Sequence, residues 1–309
     1  MSSHFNQSSV ISRGQKFTSR PMREDDLEMV DEMNQQNEMD VGPATLRLNF
    51  NTSPDGFKVA LDEGGRIVAM EGHNVMSNGI RFSALIMVSS GYRGRGISHL
   101  FRGAGDIGCA SAYSLQRYGK YIQIYRHKSV GYYGLPNCQN VNKLLPPNPT
   151  CRLTRIDADT VEDAVRYDKL ILPGIERSDY IREWCLATKY PTKVVGLVAY
   201  DLVGANPCGF GVLRQNNGYV YLSPLYADTE DIARQIYVGL MRLFIQLWEN
   251  DHLCILGQGR KHLIAEVAHN LGLQWFLTEQ YWHRGIWSIF PIEETGFEQA
   301  TFNKLCGIL

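Results

Sequence analysis

The stretch Arg93-Gly94-Arg95-Gly96-Ile97-Ser98 is the part of this 309-residue chain best suited to hold a ligand. It follows the apolar run Ile80–Val88, where Ile80, Phe82, Ala84, Ile86 and Val88 fall on one face at period two, as in a strand buried on both sides. After it, Ile97, Leu100, Phe101, Ala104, Ile107 and Ser111 recur at helical spacing, which predicts a helix from near Gly96. Glycines let a backbone approach a ligand closely, and the open amides of a first helical turn favour negative charge. The expected ligand is a polyanion. Glu71 lies on the preceding predicted strand and His73 follows two residues on, on the same face if that strand continues, which makes a titratable pair.

Other chemistries find little support. The seven cysteines are scattered and odd in number, with no Cys-x-x-Cys pair, which argues for reduced thiols and against zinc. No Ser-His-Asp or nucleotide-hydrolysis pattern competes, and no metal site is expected. A formal net charge of -1 gives no general attraction to nucleic acid or acidic membranes, so any anion site is local. Arg93-Gly94-Arg95-Gly96 occurs once, between an apolar strand and a helix, unlike an RNA-binding repeat. No apolar stretch reaches the roughly 18 residues of a membrane span, and the first fifteen residues lack the apolar core of a signal peptide. A cytoplasmic protein is expected.

The positioning elements follow from the flanking patterns. Residues 1–14, rich in Ser, Asn and Gln, read as a flexible tail. Lys16–Arg20 suits a strand, and Arg23–Gln36 an amphipathic helix with Leu27, Val30 and Met33 inward, capped near Asp25 or Asp26. Phe57–Leu61 and Arg66–Gly72 are strands around the Asp62-Glu63-Gly64-Gly65 turn, Asn78-Gly79 marks the next turn, and Tyr121–Tyr125 is a further strand. Leu144-Leu145-Pro146-Pro147-Asn148-Pro149 is the clearest breaker, placing one domain over 15–147 and a second over 150–309. The second repeats the pattern: strands over Cys151–Ile156, Thr192–Leu202, Cys208–Arg214, Gly218–Leu225, Cys254–Leu256 and Gln280–Ile289, and helices over Thr160–Leu172, Ile232–Trp248 and His262–Asn270, with Asp228 as a cap. The fold class is α+β.

Arg93-Gly94-Arg95-Gly96-Ile97-Ser98, preceded by Val88 and Ser90, resembles the Gln/Arg-x-x-Gly-x-Gly/Ala signature of GCN5-related N-acetyltransferases (GNAT). The departure is Ser98, whose side chain crowds an approach normally lined by Gly or Ala. The resemblance implies two tandem GNAT-like domains, each a mixed, mostly antiparallel sheet flanked by helices. It also implies acetyl-coenzyme A (acetyl-CoA) as cosubstrate and a small-molecule or amino-acid-like amine as acceptor. Met87 and Val88 would line the cofactor, with an amide near Val88 for the oxyanion, and Arg93, Gly94, Arg95, Gly96, Ile97 and Ser98 would hold the pyrophosphate. Setting Tyr133 at the family tyrosine, near a helix end closed by Asn137, makes it the acid for the leaving thiolate, with Tyr132 second. Glu71, His73 or a water relay would be the base. Arg126-His127-Lys128 has two readings, a contact to the 3′-phosphate and a solvated loop.

Tyr167-Asp168, Gly174-Ile175-Glu176-Arg177, Gly209–Arg214 and Ser223–Asp228 resemble the C-terminal domain of GNAT proteins related to bacterial YitH. Pro224-Leu225-Tyr226-Ala227-Asp228 stands where a phosphate turn would be and has no glycine, so this half is expected not to bind acetyl-CoA. It would wall the substrate cleft or serve as a structural partner. Two alternatives stay open: a binding protein that senses acyl-CoA without turnover, and an enzyme using a longer acyl group.

Overall fold

The computed structural model describes residues 9–12, 14–37, 41–75, 77, 79, 81–101, 107–111, 123–216, 218–248, 250–257 and 261–283. Contacts divide the chain into two compact units, Met1–Gly108 and Cys109–Ile308.

In the first unit, strands β1 (Ser9–Ser12), β2 (Gln15–Pro21), β3 (Phe57–Leu61), β4 (Ile67–Val75) and β5 (Arg81–Val88) pair antiparallel in sequence order. The first two residues of β6 (Ile107–Ser111), which runs across the unit boundary, pair parallel with Phe82 and Ser83 of β5. Helix α1 (Leu27–Gln36) buries Leu27, Val30 and Met33, as its spacing predicts. Each buried side chain contributes about 1.5–3 kcal/mol, against tenths for helix propensity, so packing sets this helix. Helix α2 (Pro43–Thr52) escapes the sequence reading because Leu46, Leu48 and Phe50 alternate like a strand. Pro43 in its first turn starts it, and Leu46 and Phe50, one turn apart, join the core with α1, Leu85 and Met87. The opposite face of the sheet packs Phe17, Ala60, Val68, Ala69, Ile97, Leu100 and Phe101 together.

In the second unit the strand order is β13 (Gln274–His283), β7 (Gln123–Gly134), β12 (His252–Gly257), β11 (Tyr219–Ala227), β10 (Pro207–Asn216), β9 (Val194–Asp201), β8 (Cys151–Arg155). β8 to β11 pair antiparallel, β11 and β12 parallel, and β7 antiparallel to both its neighbours. Helices α3 (Val161–Ile171), α4 (Ser178–Leu186), α5 (Glu230–Leu247) and α6 (Lys261–Asn270) connect them. The apolar face of α5 packs Ile232, Ile236, Leu240 and Phe244 against Val195, Leu197, Leu213 and Leu222.

Several expectations change. Ser9–Ser12, inside the expected tail, is a strand because its backbone pairs with β2. The predicted helix from Gly96 is a 3-10 segment over Ile97–Phe101, and Ile107–Ser111 is a strand paired with β5. Contacts divide at Gly108/Cys109, whereas the Pro-rich breaker lies within the second unit, because β7 is laddered to β12 and β13. Thr229, not Asp228, caps α5, its hydroxyl accepting from the Ile232 amide at 3.3 Å. The last strand begins at Gln274, earlier than predicted. Asn78, Ile80, residues 121 and 122 and residues 284–289 lie outside the described residues, as do the side chains of Arg126, His127 and Lys128 on β7.

Candidate active site

The strand β5 delivers the glycine turn. Ala69 stands opposite Val88, and the Ser89 amide donates to the Val68 carbonyl at 3.0 Å. In an antiparallel ladder the hydrogen-bonded and open pairs alternate. Val88 therefore turns its N–H and C=O away from β4, toward an edge where β6 pairs only at Phe82 and Ser83 among the described residues. Met87 behaves oppositely. Its backbone lies in the β4 ladder opposite Met70 and its side chain is in the helix-side core, so it presents no group to a ligand.

Beyond Val88 the chain makes a 3-10 turn over Ser90–Tyr92 and enters the glycines, with Gly94 at φ +75 and Gly96 at φ +72. Only glycine adopts such angles without strain. Arg93 and Gly94 form a turn closed by the Arg95 amide, the N–H groups of Gly94, Gly96, Ile97 and Ser98 meet no acceptor among the described residues, and the amides of Tyr92, Arg93 and His99 donate to the Ser89, Ser90 and Gly96 carbonyls. Open main-chain amides of this kind can receive an anion.

The two arginines brace this turn. Arg93 donates from Nε to the Val88 carbonyl at 3.1 Å and from Nη2 to Asn37 Oδ1 at 2.8 Å, tying the strand end to the C-cap of α1. Arg95 donates to Gly91 O at 3.1 Å and to Gln15 Oε1, and its guanidinium lies 5.1 Å over the Tyr92 ring. Tyr92 donates to Asp62 Oδ2 at 2.9 Å and accepts from Arg66 Nη2 at 3.0 Å, while Phe17 meets its ring edge-on. The Asp62 carboxylate pushes the Tyr92 phenol up. Burial alone would raise Asp62, but the Arg66 amide, the Tyr92 hydroxyl and the Arg66 guanidinium hold it below its ordinary value. Asn37, Asp62 and Tyr92 escaped the sequence reading. Asp62 reads only as a turn residue, and no local pattern links it to a position thirty residues on.

Glu71 and His73 are both buried on β4, with Glu71 opposite Lys58 on one side and Ile86 on the other. The expectation of a shared face fits the ladder: the register shift between Gly72 and His73 leaves Ala84 of β5 unpaired, so the bulge lies on β5 and β4 keeps its alternation. Glu71 faces away from the α1–α2 core, on the side of Ile86.

Tyr133 belongs to the second unit. It lies inside β7, paired with Cys254 and Gln274, and is 37% exposed. The helix-end setting expected from the motif is absent, since 123–134 is strand, and Asn137 has φ -81 and caps a 3-10 segment through its side chain. Strand pairing on both sides outweighs the local tyrosine–glycine pattern.

After β11 the second unit shows no counterpart of the glycine turn among the described residues. β11 runs to Ala227, Asp228 accepts from the Tyr167 hydroxyl at 2.7 Å, and Glu230 and Asp231 fill the first turn of α5. These carboxylates oppose a pyrophosphate there. The quoted C-terminal motifs instead assemble an interior polar network. Arg177 grips Asp168 with Nε to Oδ2 at 2.9 Å and Nη2 to Oδ1 at 2.5 Å. Burial alone would raise Glu183, but the Tyr190 and Lys189 amides, the Thr188 hydroxyl and nearby Arg214 hold it low.

No protein-family model matches the sequence, and no curated protein matches it. Among solved structures the chain is similar to a tandem GNAT protein from the clavulanic acid biosynthesis pathway, with TM-score 0.63 and 13% identity over 86% of this chain and 97% of that one. It is also similar to a GCN5-related N-acetyltransferase from Sphaerobacter thermophilus, at TM-score 0.56 and 9% identity over 87% and 97% of the two chains. A third, from Kribbella flavida, gives 0.53 and 14%, over 87% and 70%. The chain therefore has the α+β GNAT fold in its tandem form. Among the described residues no helix is long and apolar enough to cross a membrane.

Proposed function

We propose that this protein is an acetyl-CoA-dependent N-acetyltransferase acting on the amine of a small molecule or amino-acid-like compound. The observation that carries the reading is the set of N–H groups of Gly94, Gly96, Ile97 and Ser98 without acceptors among the described residues, at the end of a strand with a partly open edge. In this reading those amides hold the pyrophosphate, and Ser98 narrows the approach. Because the Arg93 and Arg95 side chains are engaged within the protein, they position the turn and the main chain supplies the binding. Coenzyme A brings the activated thioester. The Val88 N–H, on the outward side of β5, is aimed to stabilise the oxyanion that develops on its carbonyl. Glu71 draws the proton from the amine directly or through water, with His73 as the other candidate, and Tyr133 is the candidate acid for the thiolate. The C-terminal half, with no glycine in Pro224–Asp228, is read as binding no second coenzyme, and its YitH-like grouping rests on the quoted motifs.

A second reading is an acyl-CoA-binding protein without turnover, favoured by the burial of both candidate bases, Glu71 and His73. Calorimetric titration with acetyl-CoA, followed by thiol release across an amine panel, separates the two. Binding with amine-dependent thiol release is expected, and binding without it selects the sensor. Glu71→Gln is expected to lower kcat on the order of 100-fold or more. Undiminished turnover in Tyr133→Phe would remove Tyr133 from the mechanism.

A further inference from the structure

The second unit holds an arginine whose best hydrogen-bonding edge meets nothing. Arg214, on β10, is 0% exposed. Its Nη1 donates to the Trp184 carbonyl at 2.9 Å and more weakly to that of Glu183 at 3.4 Å, at the end of α4, and its guanidinium lies 4.8 Å over the Trp184 ring. Among the described residues Nε and Nη2 find no partner. These two nitrogens form the side-on edge whose parallel N–H groups match both oxygens of a carboxylate. Arg177 shows the same edge filled, by Asp168, within the same network.

The acids already there give Nε and Nη2 of Arg214 no hydrogen bond, and Glu183 acts on its charge only at a distance. Both Asp168 oxygens are held by Arg177, and the Glu183 oxygens accept from Thr188 Oγ1 at 2.7 Å, Tyr190 N at 2.8 Å and Lys189 N at 2.9 Å. Tyr180, stacked on Trp184 with centroids 5.7 Å apart, is within electrostatic range of Arg214, and its buried hydroxyl has no partner either. A buried donor without an acceptor is costly, and a buried guanidinium cannot escape by losing its proton.

We propose that the C-terminal unit binds a small carboxylate in its interior, with both carboxylate oxygens on Nε and Nη2 of Arg214. The site makes this half a ligand-binding unit without any phosphate turn, and it does not rest on the coenzyme reading. Because Arg214 is fully enclosed, entry requires the surroundings to open, and exchange is slow.

The test is thermal unfolding of the full chain in sodium acetate against sodium chloride at matched ionic strength, with the salt present throughout the melt. Wild type is expected to gain stability in acetate, because only the folded state carries the site. Arg214→Lys keeps the charge but lacks the planar edge, and is expected to weaken the acetate effect on the order of tenfold or more. Equal responses in the two proteins, or none in wild type, overturn the proposal. Should Arg214→Lys fail to fold, a crystal structure of wild type grown in acetate decides: a two-oxygen group on the Arg214 edge supports the site, and water alone there refutes it.

Discussion

Replacing Gly96 by Asp and by Asn separates the two ways a side chain could damage the turn. Gly96 sits at φ +72, and a Cβ built on it would lie 3.4 Å from His99 Cδ2, an ordinary contact. Asn and Asp are the residues that enter the left-handed region most readily after glycine, so the two variants share a strain of about 1–2 kcal/mol or less. They differ in charge. A carboxylate about 6 Å from one charge of a diphosphate, at an effective dielectric of about 20, adds repulsion of about 3 kcal/mol. Calorimetry should therefore give Gly96→Asp a Kd for acetyl-CoA about 100-fold above that of Gly96→Asn. Gly96→Asn itself should lie up to roughly tenfold above wild type if the strain falls on the bound state. The gap should shrink as salt is raised. Equal affinities for the Asp and Asn variants, with both folded, would refute the amide cradle, and no binding by wild type would remove the coenzyme altogether.

Other perturbations address the supports. Asp168→Ala removes the carboxylate that offsets the Arg177 charge and should cost about 3–5 kcal/mol in urea unfolding; a loss under 1 kcal/mol would show the pair to be dispensable. Tyr92→Phe removes the hydroxyl shared by Asp62 and Arg66, and should cost on the order of 1 kcal/mol while weakening acetyl-CoA binding. Binding equal to wild type would mean that the hairpin does not position the turn. The Glu183 carboxyl is held below its ordinary value in the folded protein, so its stabilisation is present above the unfolded pKa, about 4.3, and is lost as pH falls through the folded value. Unfolding measured from pH 7 down to about pH 3.5 should show a shallower loss for Glu183→Gln than for wild type; parallel curves would contradict this.

The glycine turn was legible because its signal is local: an apolar strand, Gly94 and Gly96, and the apolar residues after them are contiguous. The repeated strand–helix order of the C-terminal half was legible for the same reason, since periods of two and near four are written in adjacent residues. Local pattern failed where pairing decides the backbone. Leu46, Leu48 and Phe50 alternate like a strand, yet Pro43 and the core against α1 make them helical. Tyr133 carries a helix-end pattern but becomes a strand residue because β12 and β13 ladder onto it from both sides. The use of each side chain was likewise hidden. The turn arginines look like phosphate ligands in sequence, and their donors go to Val88, Asn37, Gly91 and Gln15, residues as many as eighty positions away. The sequence by itself determined that this chain folds as two α+β halves and where an anion could meet open amides, because propensity and periodicity are properties of neighbours. Only the tertiary structure decided which charges are already spent and that the edge of Arg214 is not, because hydrogen-bond satisfaction in the interior depends on groups brought together from distant parts of the chain.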